Sequence, residues 1–297
     1  MFKQLVDIPT SFRLLALFFI FTLSACGANP DTSTPTLAPV PETAAPPTAT
    51  SVPIAVVVNG EGIPQIEFDA ELVRFQDSQT ALGKNISFEE ATQRVRDDLI
   101  SQFLLAQGAR EAGYSLGDAE LQDRIDALAE KAGGVDALSA WLATHGYTDE
   151  SFRLSLKRAV EVAWMRDNII STVPSTAEQV HVQQILLYNR DTALDVQSKL
   201  DAGADFSELA TAYDTITNGE LGWFPQGYLL EPLIEETAFA LDIGQVSDII
   251  ETGVGFHLIT VLEREADHAL SPDALLVLQD KALLNWLQEK RQQSTIE

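Results

Sequence analysis

At Val173-Pro174 the spacing of apolar residues changes period, and that change limits what the chain can fold into more than any other feature. Upstream, apolar side chains recur every three or four positions. Ser87-Phe88-Glu89-Glu90 has the form of a capping box, and the helix it opens runs to about Gly113 with Val95, Leu99, Phe103 and Leu104 on one side. Leu121, Ile125 and Leu128 mark a second helix, and Val135, Leu138 and Leu142 a short third. Thr148 opens a fourth, which carries Phe152, Leu156, Val160 and Trp164 until the proline stops it. Before these helices stands a β-branched run, Ile54 to Val58, closed by the turn pair Asn59-Gly60. Residues 56–175 are therefore expected to form a mostly helical domain.

Downstream the pattern mixes strands with short helices. Val180 to Leu187 reads as a strand. Helices about Thr192 to Ala202 and through Phe206, Leu209 and Ala210 follow it. Next come a strand at Leu221 to Phe224 and a helix bearing Leu233, Ile234, Ala238 and Leu241 on one face. Val246 to Thr252 and Phe256 to Glu263 read as the closing strands, around Gly253 and Gly255. The order β-α-α-β-α-β-β over residues 178–264 is that of an α+β domain. Ser271-Pro272 then caps a last helix, residues 271–297, whose stripe of Leu275, Leu278, Ala282 and Trp286 requires a partner surface.

The first 55 residues follow different rules. Lys3 and Arg13 precede a short apolar run, Leu14 to Leu23, too short for an ordinary membrane span and suited to the core of an export signal. It ends in Leu23-Ser24-Ala25-Cys26-Gly27, which resembles the lipobox of bacterial lipoproteins. That resemblance implies a signal peptide at residues 1–25, acylation of Cys26 and a lipid anchor on the extracytoplasmic side of a cell membrane. Residues 26–55 hold the lipidated Cys and a linker rich in Pro and Thr, with seven of the chain's 13 prolines. Such a stretch cannot bury a core, and in polyproline II form it spans up to roughly 90 Å.

Charge narrows the partners. With 19 Lys+Arg against 44 Asp+Glu the chain carries a formal net charge of −25, which repels nucleic-acid phosphates and anionic lipid. One cysteine excludes an internal disulfide, and the four histidines show no metal-ligand spacing, so neither metal nor cofactor is expected.

Specific motifs lie within 178–264. They are Val180-His181-Val182-Gln183-Gln184-Ile185-Leu186, Gly203-Ala204-Asp205-Phe206-Ser207-Glu208-Leu209-Ala210, Gly219-Glu220-Leu221-Gly222-Trp223-Phe224 and Ala238-Phe239-Ala240-Leu241. After them come Gly244-Gln245-Val246-Ser247 and Glu251-Thr252-Gly253-Val254-Gly255-Phe256-His257-Leu258-Ile259. In this order and at these intervals they resemble the parvulin (PpiC, rotamase) family of peptidyl-prolyl cis/trans isomerases. The Val-Asn-Gly start, the helical block and the final helix are similar to exported foldases of the SurA and PrsA type. The resemblance implies a parvulin-like four-stranded sheet with surrounding helices, a chaperone-like helical domain onto which the 271–297 helix packs, and unfolded exported polypeptides with X-Pro bonds as partners.

It also implies a site. His257 matches the family's second histidine, and Thr252 the hydroxyl of the same network. Gln184 stands where the family usually has its first histidine; glutamine exchanges hydrogen bonds but does not titrate. His181, three residues earlier, belongs to the opposite strand face. In the loop where the family places an acid or Cys, several residues shorter here, Asp214 is the only candidate. The proline cup would comprise Leu221, Leu230 (often Met in the family) and Ile234 (usually Phe), with Phe256 near its floor. Two functions compete: an active isomerase fused to a chaperone-like region, and a client-holding chaperone whose isomerase domain turns over weakly or not at all. A solute-binding lipoprotein would need two α/β lobes, for which the chain is too short and too helical.

Overall fold

The structure is a computed structural model that describes residues 53–297; the expected export signal, Cys26 and the expected linker up to residue 52 lie outside the described residues. The described chain divides into two compact units, one of residues up to Val57 with Gly62–Leu99, the other of Val58–Glu61 with Ile100–Glu297.

The first unit holds all but the turn-side ends of strands β1 (Ile54–Val58) and β2 (Glu61–Pro64), helix α1 (Gln65–Ala81) and the start of α2 (Phe88–Glu111); the β1–β2 turn, Val58–Glu61, belongs to the second. Strand β1 begins at Ile54, two residues inside the interval assigned above to the linker. Pro64 at the N-cap of α1 frees no N–H, and Gln65 N–H donates to Pro53 O at 2.8 Å. Ser87 Oγ accepts Glu90 N–H at 3.1 Å, which is one half of the capping box read from the sequence. Val56, Ile63, Phe68, Leu72, Ala91 and Val95 are buried in this unit.

In the second unit, α3 (Asp118–Ala132), α4 (Val135–Thr144) and α5 (Asp149–Ile170) follow the rest of α2. Thr148 caps α5 reciprocally with Ser151. Helix α9 (Pro272–Gln293) returns to this bundle. Its Ala282, Leu283, Trp286 and Leu287 pack with Leu105, Ala109, Met165 and Ile169. Gly108 in α2 is there for space, since a Cβ on it would lie 2.6 Å from the Trp286 ring. Glu161 of α5, with no solvent exposure, is held by Arg110 at 2.7 Å, and Arg110 also reaches Glu61 at 2.6 Å. The end of the chain is stitched to the β1–β2 turn. Val58 bridges Ile296, Asn59 N–H donates to Thr295 O, and Asn59 Oδ1 accepts Thr295 N–H, both at 2.9 Å.

The rest of this unit is an antiparallel sheet in the order β4-β3-β6-β5, formed by β3 (Thr176–Leu187), β4 (Glu220–Pro225), β5 (Ile250–Thr252) and β6 (Gly255–Ala269). Helices α6 (Arg190–Asp201) and α7 (Phe206–Tyr213) cover one face over Ile185, Leu187 and Leu258. Helix α8 (Pro232–Ala240) covers the other over Val180, Val182, Ile259 and Val261. The chain is thus α+β, with a parvulin-like four-stranded sheet and a helical N-terminal region. The strand expected from Val246 is shorter than its apolar pattern. Ser247 Oγ accepts Ile259 N–H at 3.0 Å, a side chain standing in for a strand partner, so regular pairing starts only at Ile250.

Candidate functional site

Alternation along β3 and β6 sends side chains to two faces. Gln184, Leu186, His257 and Ile259 share the α8 face by register, while Ile185, Leu187, Phe256 and Leu258 share the α6–α7 face. Thr252 at the end of β5 pairs with Gly255, which brings its hydroxyl beside the His257 ring. The turn between them needs glycine: a Cβ on Gly255 (φ +151°) would lie 2.6 Å from Leu187 O.

His257 is only 3% exposed, and both its ring nitrogens are occupied. Nε2 lies 2.9 Å from Thr252 Oγ1, and Nδ1 lies 3.2 Å from Gln184 Oε1. One proton arrangement satisfies every atom: Nδ1–H donates to Gln184 Oε1, Thr252 O–H donates to Nε2, and Val254 N–H donates to Thr252 Oγ1 at 3.2 Å. Burial pushes the imidazole below its ordinary value, partly opposed by the charge of Glu231, so the ring is neutral at pH 7. Gln184 is therefore an acceptor that orients the ring, and the chain Gln184–His257–Thr252 is a positioned polar line on an otherwise apolar face.

That line is anchored at its start by Gly219. Gln184 N–H donates to Gly219 O at 2.7 Å, and a Cβ on Gly219 (φ +73°) would sit 2.0 Å from Gln184 O. Gln183, on the other face, donates to Asn218 O at 2.7 Å and accepts from Ser207 Oγ at 2.8 Å, tying the same turn to α7. Asp214 is engaged in that turn. Its Oδ1 accepts the N–H groups of Ile216 and Thr217 at 2.9 and 3.1 Å, and Oδ2 accepts the Thr217 hydroxyl. The Thr217 hydroxyl and these amides lower its carboxyl to about 2. The structure gives Asp214 this role in closing its own turn, and does not join it to the His257 line.

The expected cup residues separate. Ile234 is 5% exposed and, with Leu221, packs on Val182, Phe224 and Ile259 beneath α8. Leu230 is 72% exposed, whereas its neighbour Leu229 packs on that cluster. Phe256 faces α6 and α7 instead. His181 is also apart from the site, 2.6 Å from Glu220 through Nε2 and stacked on Trp223, which also stacks with His268.

Two residues that sequence reasoning passed over shape this face. Glu235 accepts three consecutive amides, those of Gly227 at 2.6 Å and of Tyr228 and Leu229 at 2.9 Å. Arg264 Nη2 donates to Phe239 O at 3.0 Å and Leu241 O at 2.9 Å, capping the end of α8, while Nη1 pairs with Glu178 at 2.9 Å. The signal for Glu235 was a carboxylate in the first turn of a Pro-started helix just after a glycine loop. Among the described residues no cluster of His, Cys, Asp and Glu could hold a metal ion, and no helix is long and apolar enough to cross a membrane.

Comparison with known proteins places two matches on this chain. Residues 169–265 match the PPIC-type PPIASE domain, and residues 47–145 match the SurA-like N-terminal domain. The foldase protein PrsA of Oceanobacillus iheyensis is 28% identical over 238 residues, covering 74% of this chain and 79% of that protein. PrsA of Geobacillus kaustophilus is 30% identical over 186 residues, covering 60% of this chain and 64% of its own. The crystal structure of the peptidylprolyl isomerase PrsA from Bacillus cereus, 20% identical, covers 82% of this chain and 87% of its own with a TM-score of 0.42.

Proposed function

From a chain that joins a SurA-like N-terminal domain to a PPIC-type PPIase domain, we propose a peptidyl-prolyl cis/trans isomerase that acts as a foldase on exported polypeptides. The observation that carries this reading is the fixed line Gln184–His257–Thr252 on the sheet face whose Ile259 packs with Leu221, Leu229 and Ile234.

An X-Pro amide isomerises over a barrier of about 20 kcal/mol because resonance holds it planar. A catalyst needs only to favour the twisted amide, whose resonance is lost. In this reading the proline ring seats against Leu221 and Leu229, which the buried Ile234 backs from beneath. Exclusion of water from the carbonyl weakens the planar form. His257, neutral and held at both nitrogens, keeps the face rigid and leaves no bare charge beside the ring; it transfers no proton. The Cys26 lipobox supports attachment to the membrane by lipid, with the linker carrying the folded part to clients outside the cytoplasm.

The test is a protease-free proline-isomerisation assay on residues 53–297 with X-Pro peptides and with a protein whose refolding waits on proline. Acceleration of both is expected, and Gln184→His should match or exceed wild type, since it restores the family's usual side chain at this strand position. One observation favours the second reading, a holding chaperone: Gln184 leaves the His257 line with a single titratable group. Absence of catalysis in wild type and in Gln184→His, with aggregation of an unfolded client still suppressed, would select it.

A further inference from the structure

The segment between β4 and α8 runs over the α8 side of the sheet as Gln226-Gly227-Tyr228-Leu229-Leu230, and its position is set from two directions. From inside the domain, Glu235 takes the N–H groups of Gly227, Tyr228 and Leu229 on one carboxylate. Carboxylate–amide bonds are stronger than neutral ones, and here they point Leu229 into the apolar cluster. From outside, α9 lies against the bare Cα of Gly227 (φ +87°). A Cβ built there would be 3.3 Å from Leu278 Cδ2 and 3.7 Å from Cδ and Nζ of Lys281. Glycine is favoured by that backbone, and a Cβ there would press closely on Leu278.

Resting on the isomerase reading above, we propose that residues 226–230 are a lip of the proline pocket, that Glu235 and Leu278 are positioning residues for it, and that α9 thereby sets how tightly the pocket grips its client. The geometry argues for this division of labour. Glu235 holds the lip's backbone, so it fixes where Leu229 points. Leu278 occupies the space into which the lip would swing outward, so it fixes how far the lip opens. Helix α9 is otherwise committed to the helical bundle through Leu283 and Trp286. The same helix therefore touches the chaperone-like region with Ala282, Leu283 and Trp286 and the pocket lip about one turn earlier, with Leu278 and Lys281.

The proposal is tested in residues 53–297 with Leu278→Ala, Lys281→Ala and Glu235→Gln, and with Leu276→Ala, an exposed position of the same helix, as control. Two readouts are taken: amide hydrogen exchange at residues 227–229, and KM against kcat for one X-Pro peptide. Leu278→Ala should speed exchange at these amides and raise KM by about tenfold with kcat less affected. Glu235→Gln should do both more strongly, and Lys281→Ala, whose exposed side chain is no threat to folding, more weakly. Unchanged exchange and KM in Leu278→Ala and Lys281→Ala would overturn the proposal. So would faster exchange with unchanged KM, because the segment would then move without belonging to the pocket. A wild type without turnover refutes the catalytic reading separately; Kd for the same peptide then replaces KM, and the lip is judged by the same comparison.

Discussion

His257 shows how a single residue ties stability to pH. Its folded value lies below its ordinary one because of burial, so the unfolded chain takes up a proton first as pH falls. The stability associated with the neutral ring is complete above about pH 6.5 and is lost as pH drops through that value toward the folded one, by at most about 1.4 kcal/mol per unit. Melting residues 53–297 between pH 7.5 and 5.5 should show wild type losing more stability than His257→Gln; equal losses would contradict it. The apolar cluster on the same sheet face gives a second expectation. Leu229→Ala should lower isomerisation about tenfold by removing packed apolar surface, while exposed Leu230→Ala changes it by less than about threefold. Activity of both variants on one X-Pro peptide decides the order. Sequence motifs single out His257, Thr252 and Gln184 because all three lie within runs of recognisable spacing, and hydrogen bonds link them in the structure. They did not separate Leu229 from Leu230, since neighbours in a glycine loop carry no periodicity that tells inward from outward. The structure separates them: Leu229, its amide held by Glu235, packs on the apolar cluster, while Leu230 is exposed.

Among elements, the strongly periodic ones were legible: α2, α5 and α9 stand where apolar spacing and caps put them. The weakly marked ones were not. Strand β2 has four residues, and α1 buries only Phe68, Leu72 and Gln79, so neither displays a long apolar pattern. The strand at Val246 to Thr252 is shorter than its hydropathy implies, because hydropathy does not reveal that Ser247 supplies a side-chain acceptor to the neighbouring backbone. Helix α8 depends on a distant residue for its ending. Arg264→Ala should free the carbonyls of Phe239 and Leu241 and cost the isomerase domain about 1–3 kcal/mol. Denaturant unfolding of a 169–269 fragment with and without the change measures this; an unchanged midpoint would show that water serves the carbonyls equally well.

At the scale of the whole molecule, the lipobox predicts location. Cys26→Ser should move the protein from the detergent phase to the aqueous phase in phase partitioning, and equal partitioning of both forms would reject the lipid anchor. The route of the chain through the sheet has a consequence of another kind. Thr176 pairs with Ala269, and Leu270 N–H donates to Ser175 O at 2.9 Å, so the strands that enter and leave the 176–269 module start side by side. Adjacent ends are the condition under which one gene segment can be spliced into another without stretching the host. A shortened gene that joins residue 175 to residue 270 through a few glycines is expected to yield a helical protein with a single cooperative melt. Insertion of the 176–269 segment at that point thus demands little of the chain on either side of it.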